Sequence, residues 1–370
     1  MRFPEFEGNW EERKFEDICS IKTGNKNTQD KEDDGRYPFY VRSEIIEKIN
    51  SYSFDGEAIL TAGDGVGVGK IFHYINEKVG VHQRVYILSD FQAFGKYVYY
   101  YFSSQFYDRV MRMSAKNSVD SVRRDMIAQM PILLPTQEEQ HKIATFLTLI
   151  DKRIETQKKI IEDLESLKSA INIKLFDGAL AANMPPFWKP VKLSEVLSIP
   201  EKVKPQYIDK DKLLTVKLHL NGVMKNDNTD TLSLGATNYY IRRKGQFIFG
   251  KQNIFNGAFD IIPDELDSYL SSADVPSLDI NTSKIHSLFL LYYFSREKFY
   301  KPLEDIAIGS GSKRIHETTI LNLKIYLPTW EEQSLIANTL WTLERKTNLE
   351  LKILQFMQKE KEYFLDNMFI

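Results

Sequence analysis

Cysteine is almost absent from the sequence, with Cys19 alone among 370 residues. This excludes an intramolecular disulfide and a zinc site built from cysteines, and it is typical of a protein from a reducing cytoplasm. Histidine is also scarce, and the spacing of its six positions matches neither H-E-x-x-H nor H-x₃-H, so we expect no metal site. The six are His73, His82, His141, His219, His286 and His316.

Long apolar runs and an excess of one charge sign are missing too. The most apolar stretch, SLFLLYYF at residues 287–294, is far shorter than the roughly 18 residues that a membrane span needs. The first 15 residues contain no apolar segment of signal-peptide length, so we predict a cytoplasmic protein. With 49 Lys and Arg against 51 Asp and Glu, any basic surface must be local.

Motifs of catalysis are lacking as well. The glycine-rich AGDGVGVGK at 62–70 does not have P-loop spacing, and the IFHYI that follows is typical of a strand, so we predict a turn between strands. NMPPFW at 183–188 is similar to a motif of DNA amino-methyltransferases, but Met184 stands where an amine-bonding side chain is needed. By elimination, the chain is predicted to bind and position rather than to catalyse, with no cofactor of its own.

The sequence does contain a duplication. LPTQEEQ at 134–140 returns as LPTWEEQ at 327–333, an offset of 193 that also pairs Tyr99 and Tyr100 with Tyr292 and Tyr293. The segments WEERKFEDICSI at 10–21 and WKPVKLSEVLSI at 188–199 match at an offset of 178. The chain therefore repeats one globular module followed by one helix.

Each repeated heptapeptide predicts a helix start. Thr136 with Glu139, and Thr329 with Glu332, form Thr-x-x-Glu capping boxes. Apolar residues then recur at alternating steps of four and three, which is typical of a coiled-coil seam. The seam positions are Ile143, Leu147, Ile150, Ile154, Ile161 and Leu164 in the first copy, and Ile336, Leu340, Leu343, Leu354, Met357 and Phe364 in the second. Polar residues interrupt both seams at matching places, Gln157 with Glu350 and Lys168 with Lys361.

These patterns predict an α+β protein of two globular mixed α/β modules separated by two long helices, with an internal pseudo-two-fold duplication. We predict module one at 1–133, helix one at 134–180, module two at 181–326 and helix two at 327–370. The simplest partner for each helix is the other, in an antiparallel coiled coil, and pairing across a dimer is the alternative.

Basic residues, small hydroxyl side chains and flexible backbone precede each heptapeptide, and such residues bind phosphates. The alternative is a solvated helix face followed by a loop. The candidate residues are Arg112, Lys116, Asn117, Ser118, Arg123 and Arg124 in the first copy, and Ser310, Ser312, Lys313 and Arg314 in the second.

Taken together, the two LPTxEEQ helices, the GSGSKR segment at 309–314 and the tryptophan-led module starts resemble the specificity subunit of a type I restriction–modification system. The first-copy loop, AKNSVDS at 115–121, departs from that pattern. The resemblance implies that each module is a target recognition domain for one half of a split double-stranded DNA sequence. It implies that the helices set the unread spacer and dock two modification subunits, which bind S-adenosylmethionine and methylate adenine. Motor-nuclease subunits, with ATP and Mg²⁺, would join for cleavage.

The resemblance implies that side chains from the variable middle of each module's sequence read bases directly in the major groove. The candidates are Arg36, Arg42, Lys70 and Arg84 in module one, and Lys251, Gln252, Asn253 and Asn256 in module two. Two other hypotheses remain open from the sequence. One is a self-sufficient nuclease or methyltransferase, and the other is a tandem-repeat scaffold whose modules bind proteins.

Overall fold

The computed structural model describes residues 1–65, 67–113, 121–176, 188–228, 237–309 and 311–369. The chain divides into two compact units. The first unit comprises Met1–Lys159 with Leu351–Ile370, and the second comprises Ile160–Glu350. Both boundaries fall inside the long helices, so each unit contains one module and one part of each helix.

Module one is a mixed α/β structure built on a six-stranded sheet in the order β2-β7-β5-β6-β3-β4. β3 pairs with β6 in parallel, whereas the other neighbours are antiparallel. The strands are β1 Glu11–Lys14, β2 Ser20–Thr23, β3 Tyr37–Tyr40, β4 Glu47–Ile49, β5 Phe54–Ala62, β6 Phe72–Val81, β7 Val85–Ser89 and β8 Pro131–Leu134. The helices are α1 Phe15–Ile18, α2 Gly95–Met113 and α3 Arg124–Ala128. Since β5 and β6 pair antiparallel, the glycine-rich segment joins two strands, as predicted.

Module two contains a four-stranded sheet in the order β10-β17-β14-β15 and the smaller pairs β11-β12 and β13-β16. The strands are β9 Lys189–Lys192, β10 Leu197–Ser198, β11 Leu214–Val216, β12 Val223–Lys225, β13 Tyr239–Ile241, β14 Phe247–Phe249, β15 Phe259–Ile261, β16 Leu270–Ser272, β17 Ser277–Ile280 and β18 Lys324–Leu327. The helices are α5 Ser287–Phe294, α6 Glu297–Tyr300 and α7 Glu317–Asn322. In both modules the tyrosine-rich helix lies in the core, with Tyr97, Tyr100, Tyr292 and Tyr293 buried.

The long helices are α4 Gln137–Phe176 and α8 Trp330–Met368. In the first unit, Asp151 contacts Lys361 at 2.6 Å and the rings of Phe146 and Phe364 lie 4.9 Å apart. From the first contact to the second, the residue number falls on α4 and rises on α8, so the two segments run antiparallel. In the second unit, Lys168 contacts Glu344 at 2.9 Å. The predicted antiparallel coiled coil is confirmed within one chain, and no helix of the described residues could cross a membrane.

All twelve predicted seam residues are buried or half-buried on these helices. The buried ones are Ile143, Leu147, Ile154, Ile161, Leu164, Ile336 and Leu340. The half-buried ones are Ile150, Leu343, Leu354, Met357 and Phe364. Gln157 is buried on α4 in the first unit and Thr347 is buried on α8 in the second, so both units bury a polar group on a long helix.

Each heptapeptide is the continuation of a strand that closes its module. β8 pairs with the first strand β1, and β18 pairs with β9. Thr136 Oγ1 accepts the Glu139 N–H at 3.3 Å, and Thr329 Oγ1 accepts the Glu332 N–H at 3.3 Å. The predicted capping boxes are only half formed, because the two carboxylates bond elsewhere in the described chain. Glu139 accepts two bonds from Arg2, and Glu332 accepts one from the Trp188 indole.

The glutamine of each heptapeptide bonds the start of the long helix to its module, and we call its two hydrogen bonds the glutamine clasp. Gln140 donates to the Pro135 carbonyl at 2.8 Å and accepts the Phe94 N–H at 2.9 Å. Gln333 donates to the Pro328 carbonyl at 3.1 Å and accepts the His286 N–H at 2.9 Å. Both glutamines are buried, and the clasp fixes the start of the tyrosine-rich helix against the start of the long helix.

The helix ends reveal the register of the duplication. Phe369 packs edge-on against Tyr97 and Tyr101 in the first unit, and Phe176 packs against Phe289 and Tyr293 in the second. The tyrosines therefore correspond at an offset of 192, and the predicted pairing of Tyr99 with Tyr292 was one residue wrong. The offset rises from 192 at the tyrosines to 193 at the heptapeptides, so the second copy has one more residue between them. α2 is one continuous helix in the first copy, whereas the second copy has two shorter helices, α5 and α6, and the extra residue is accommodated between them.

Candidate nucleic-acid interface

Both modules contain the same backbone junction, where three distant segments meet. In module one, the Gly63 N–H donates to the Arg84 carbonyl at 2.8 Å, and the Gly63 carbonyl accepts the Val122 N–H at 2.8 Å. In module two, the Lys251 N–H donates to the Asp274 carbonyl at 2.9 Å, and the Lys251 carbonyl accepts the Ile315 N–H at 2.9 Å. We call each set of three residues a junction, and Val122 and Ile315 are themselves 193 positions apart.

Two exposed arginines at the junction of module one share the carboxylate of Asp64. Arg42 Nη1 lies 2.9 Å from Asp64 Oδ1, and Arg84 Nη1 lies 3.7 Å from Asp64 Oδ2. The two arginine side chains are 46% and 65% exposed, whereas Asp64 is 23% exposed. Gly67 allows the loop to approach Arg42, since a Cβ there would stand 2.7 Å from the Arg42 carbonyl oxygen. Asp64 thus positions two arginine side chains whose guanidinium groups are accessible to solvent.

His82 lies beneath this pair. Its Nδ1 accepts the Arg84 N–H at 3.0 Å, and its Nε2 is 3.3 Å from Thr28 Oγ1. Burial and then the nearby Arg42 lower the pKa of His82, so the neutral ring is favoured. A neutral Nδ1 is the acceptor that the Arg84 N–H requires.

The other predicted residues of module one are distributed around the junction and away from it. Arg123 and Arg124 directly follow Val122 and are exposed. The Lys70 ammonium lies 5.2 Å from the Tyr107 ring on α2, and Arg112 is exposed in the last turn of that helix. Arg36 precedes β3 while Arg42 follows it, so these two occupy opposite ends of one strand. Lys116, Asn117 and Ser118 lie outside the described residues.

In module two, the junction brings together the KQN segment and the GSGSKR segment that the sequence presents separately. Arg314 Nε lies 3.5 Å from Asp274 Oδ1. With its amide turned to present oxygen, Gln252 accepts from Arg314 Nη2 at 2.7 Å. Ile308 and Arg314 exchange backbone hydrogen bonds of 2.9 Å, which join the two ends of the loop that contains Gly309 and Ser312. Gly309 is required in this loop, because its φ is +130° and a Cβ would meet the Ser312 carbonyl oxygen.

The remaining predicted residues of module two are engaged differently. The Lys251 ammonium lies 3.0 Å from Glu317, and both side chains are only 12% exposed, so Lys251 is paired inside the protein. Lys313 contacts Glu304 at 3.0 Å on the surface. Asn253 and Asn256 have exposed side chains and shape the turn after the junction through backbone hydrogen bonds. Ser312 is exposed, and Ser310 lies outside the described residues.

Arg242, which the sequence did not single out, supports the turn that carries Asp274. Its Nε donates to Ser271 Oγ at 2.6 Å, and its Nη2 donates to the Val275 carbonyl at 3.1 Å. Burial lowers the pKa of Arg242 to about 10. A buried arginine bonded on both sides of the turn fixes the backbone position of Asp274.

The two acids that hold the arginines, Asp64 and Asp274, were also missed by the sequence. Asp64 is 22 residues from Arg42 and 20 from Arg84, and Asp274 is 40 residues from Arg314. No local pattern indicates such contacts, which exist only because sheet and loops bring the segments together. Among the described residues, no group of three or more His, Cys, Asp or Glu side chains is placed to hold a metal ion.

Comparisons with known proteins agree with this two-module architecture. The family model described as "Type I restriction modification DNA specificity domain" matches the chain twice, at residues 7–166 and 185–357. The Type I restriction enzyme MjaVIII specificity subunit of Methanocaldococcus jannaschii is 25% identical over 413 residues, covering 99% of this chain and 92% of the relative. The EcoDI specificity subunit of Escherichia coli is 22% identical over 181 residues, covering 49% of this chain and 40% of the relative.

A solved structure has the same fold. The S subunit of a type I restriction–modification system from M. genitalium superposes with a TM-score of 0.67 at 16% identity. The match covers 98% of this chain and 96% of that one.

Proposed function

The chain belongs to the type I restriction–modification DNA specificity family, and from this membership we propose that it is the DNA-recognition subunit of such a complex. Each module is a target recognition domain for one half of a split double-stranded sequence. The observation that carries this proposal is the duplicated junction, which presents arginine on the same backbone frame in both modules, exposed in module one and half-buried in module two. The near-neutral net charge fits this local basic character, because a specific interface needs only a local cationic patch.

The long helices are the proposed docking surface for two modification subunits. They carry large exposed apolar side chains on their outer faces, in addition to the buried seam. In the first unit these include Leu149, Phe356 and Tyr363, and in the second Ile173, Leu335, Trp341 and Leu349. Exposed apolar surface of this kind is typical of protein interaction sites. The same helices, as a register-fixed pair, set the unread spacer between the two half-sites.

Catalysis is proposed to belong to the partners. In this assignment the modification subunits bind S-adenosylmethionine and methylate adenine, and motor-nuclease restriction subunits use ATP and Mg²⁺. This chain is then non-catalytic, holds no cofactor and acts in the cytoplasm, where the genomic DNA is. Its part is to place one half-site in front of each modification subunit.

The proposal is tested by co-expressing the chain with its modification subunits and sequencing the methylated adenines of the host DNA. We expect a bipartite motif that disappears when the gene is deleted. Replacing residues 1–133 by the first module of another family member should change one half-site and leave the other unchanged.

Two results would overturn the proposal. Adenine methylation by the purified chain alone with S-adenosylmethionine would show a self-sufficient enzyme. A complex with modification subunits that neither methylates DNA nor binds it in a salt-dependent manner would favour a protein-interaction scaffold.

A further inference from the structure

The two junctions differ in sequence but present the same chemical arrangement. In module one, Asp64 holds Arg42 and Arg84, and Arg84 belongs to the junction. In module two, Asp274 holds Arg314, and here the acid belongs to the junction. Both carboxylates therefore lie beside the same backbone hydrogen bonds, while the arginines arrive from different segments. The repeated feature is a carboxylate-held arginine and not a particular sequence position.

This arrangement restricts what the arginines can bind. A bare arginine cluster suits phosphate, whereas a carboxylate at its centre repels phosphate oxygens. Arginine donates two parallel hydrogen bonds to guanine O6 and N7 in the major groove, and a carboxylate accepts from the cytosine N4 amino group. One Arg–Asp pair thus offers complementary groups to both members of a G·C base pair.

The geometry leaves donors available for such contacts. Arg42 makes one hydrogen bond, from Nη1 to Asp64, within the described part of the chain. Arg84 lies 3.7 Å from the second oxygen of Asp64, so the carboxylate orients it without a close hydrogen bond. Two cations on one anion leave a net positive charge, which attracts DNA before the base edges are reached.

Module two supports its single arginine from two sides. Asp274 approaches Nε of Arg314, and the Gln252 amide oxygen accepts from Nη2. Arg242 in turn fixes the backbone on both sides of Asp274, because its Nη2 donates to the carbonyls of Ser272 and Val275. A guanidinium held by two neighbours loses less conformational entropy when it binds than a free side chain does.

We propose that each module recognises a G·C base pair through its carboxylate-held arginine, by Arg42 and Arg84 on Asp64 in module one and by Arg314 on Asp274 in module two. This inference rests on the proposed function and names the specificity-determining residues within it. It requires at least one fixed G·C pair in each half of the target.

The test uses the complex of the full chain with its modification subunits, and it determines methylation motifs by sequencing plasmid DNA that carries randomised target sites. Asp64→Asn should relax a G·C position in the first half-site by about tenfold and leave the second half-site unchanged. Asp274→Asn should do the converse. The matched controls, Asp55→Asn and Asp211→Asn, remove acids from exposed surface pairs with Lys78 and Lys225 and should change neither half-site.

Arg42→Lys and Arg84→Lys keep the charge but remove the planar fork, so they separate base recognition from phosphate binding. Relaxed preference at one G·C position supports the inference. Uniformly weaker methylation of all targets with a smaller salt dependence would show phosphate contacts instead and overturn it. A wild-type motif in which one half lacks a fixed G·C pair would also overturn it. If the wild-type complex methylated no bipartite motif at all, this result would instead refute the proposed function.

Discussion

The ammonium group of Lys168 lies 2.9 Å from Glu344, and this contact occurs a second time in the chain. Lys361 and Asp151, each 193 positions from one of these residues, form an ion pair of 2.6 Å in the first unit. The acid also accepts a tyrosine hydroxyl in each copy, from Tyr292 at 3.1 Å in the second unit and from Tyr100 at 2.7 Å in the first. The two lysine breaks in the apolar seam are therefore paired, and such pairs specify one register of the coiled coil.

Reversing one charge of the seam pair should weaken the second unit, and reversing both should restore it. Lys168→Glu places two carboxylates together, and we expect it to lower the free energy of unfolding by about 1 kcal/mol. The double variant Lys168→Glu with Glu344→Lys should recover most of this loss, as measured by urea denaturation. Lys301→Glu is the matched control, because Lys301 forms an exposed i,i+4 pair with Glu297. Equal losses for both lysines would contradict a role in register.

Breaking the glutamine clasp should cost more than removing the helix cap. Gln140→Leu leaves the Phe94 N–H and the Pro135 carbonyl without their partner in a buried site. We expect a loss of about 2–3 kcal/mol by urea denaturation, against about 1 kcal/mol for Thr136→Ala. Gln333→Leu should behave like Gln140→Leu, since its two bonds are the same.

The exposed first helical residue provides the control for this comparison. Gln137→Ala changes a glutamine three positions away without touching the clasp. It should leave the free energy of unfolding within about 0.5 kcal/mol of the parent. A comparable loss for Gln137→Ala would show that the cost belongs to the helix start in general.

Acidification should destabilise module one through His82. In the unfolded chain this ring titrates near its ordinary pKa of 6.5, while burial and Arg42 lower the pKa in the folded state. The unfolded state therefore binds the proton first, and stability falls as the pH decreases from 6.5 towards the folded pKa. The charges of Arg42 and Arg84 oppose the imidazolium, and the carboxylates of Asp64 and Asp30 offset them only in part.

The measurement is urea denaturation between pH 5 and pH 8 for the parent and for His82→Asn. An asparagine oxygen can accept the Arg84 N–H but carries no charge at any pH. We expect a shallower pH dependence in this variant, with His73 and His286 contributing to the rest, because burial lowers the pKa of both. An identical slope for His82→Asn and the parent would refute this role.

Features that depend on residues close together in the sequence could be predicted, whereas contacts between distant segments could not. The long helices were predicted at 134–180 and 327–370 and are observed at Gln137–Phe176 and Trp330–Met368, because heptad spacing and Thr caps are local signals. The antiparallel arrangement followed from their apolar seams. The position of Asp64 between two arginines was beyond such signals, since it depends on the order in which β7, β5, β6 and β3 lie in the sheet.

The capping glutamates show the same limit within a single motif. Thr-x-x-Glu predicts a bond from each carboxylate back to the threonine N–H, yet Arg2 and Trp188 take those carboxylates in the folded chain. Tertiary partners 137 and 144 residues away override the local preference. The local pattern thus located the helix start correctly and assigned its side-chain bonds wrongly.

Lengthening both long helices by one heptad should lengthen the unread spacer without altering either half-site. Insertions of seven residues after Lys159 and after Lys352 lie between the two ion pairs along each helix, so both pairs and the seam phase are kept. Seven residues add about 10 Å of helix, or about three base pairs of DNA. Methylome sequencing of the complex should therefore show the same two half-sites with about three more base pairs between them. Insertion after Lys159 alone shifts α4 against α8, cannot satisfy both ion pairs at once and should reduce methylation instead. A longer spacer from the single insertion, or changed half-sites from the matched one, would show that the helices do not act as a paired ruler.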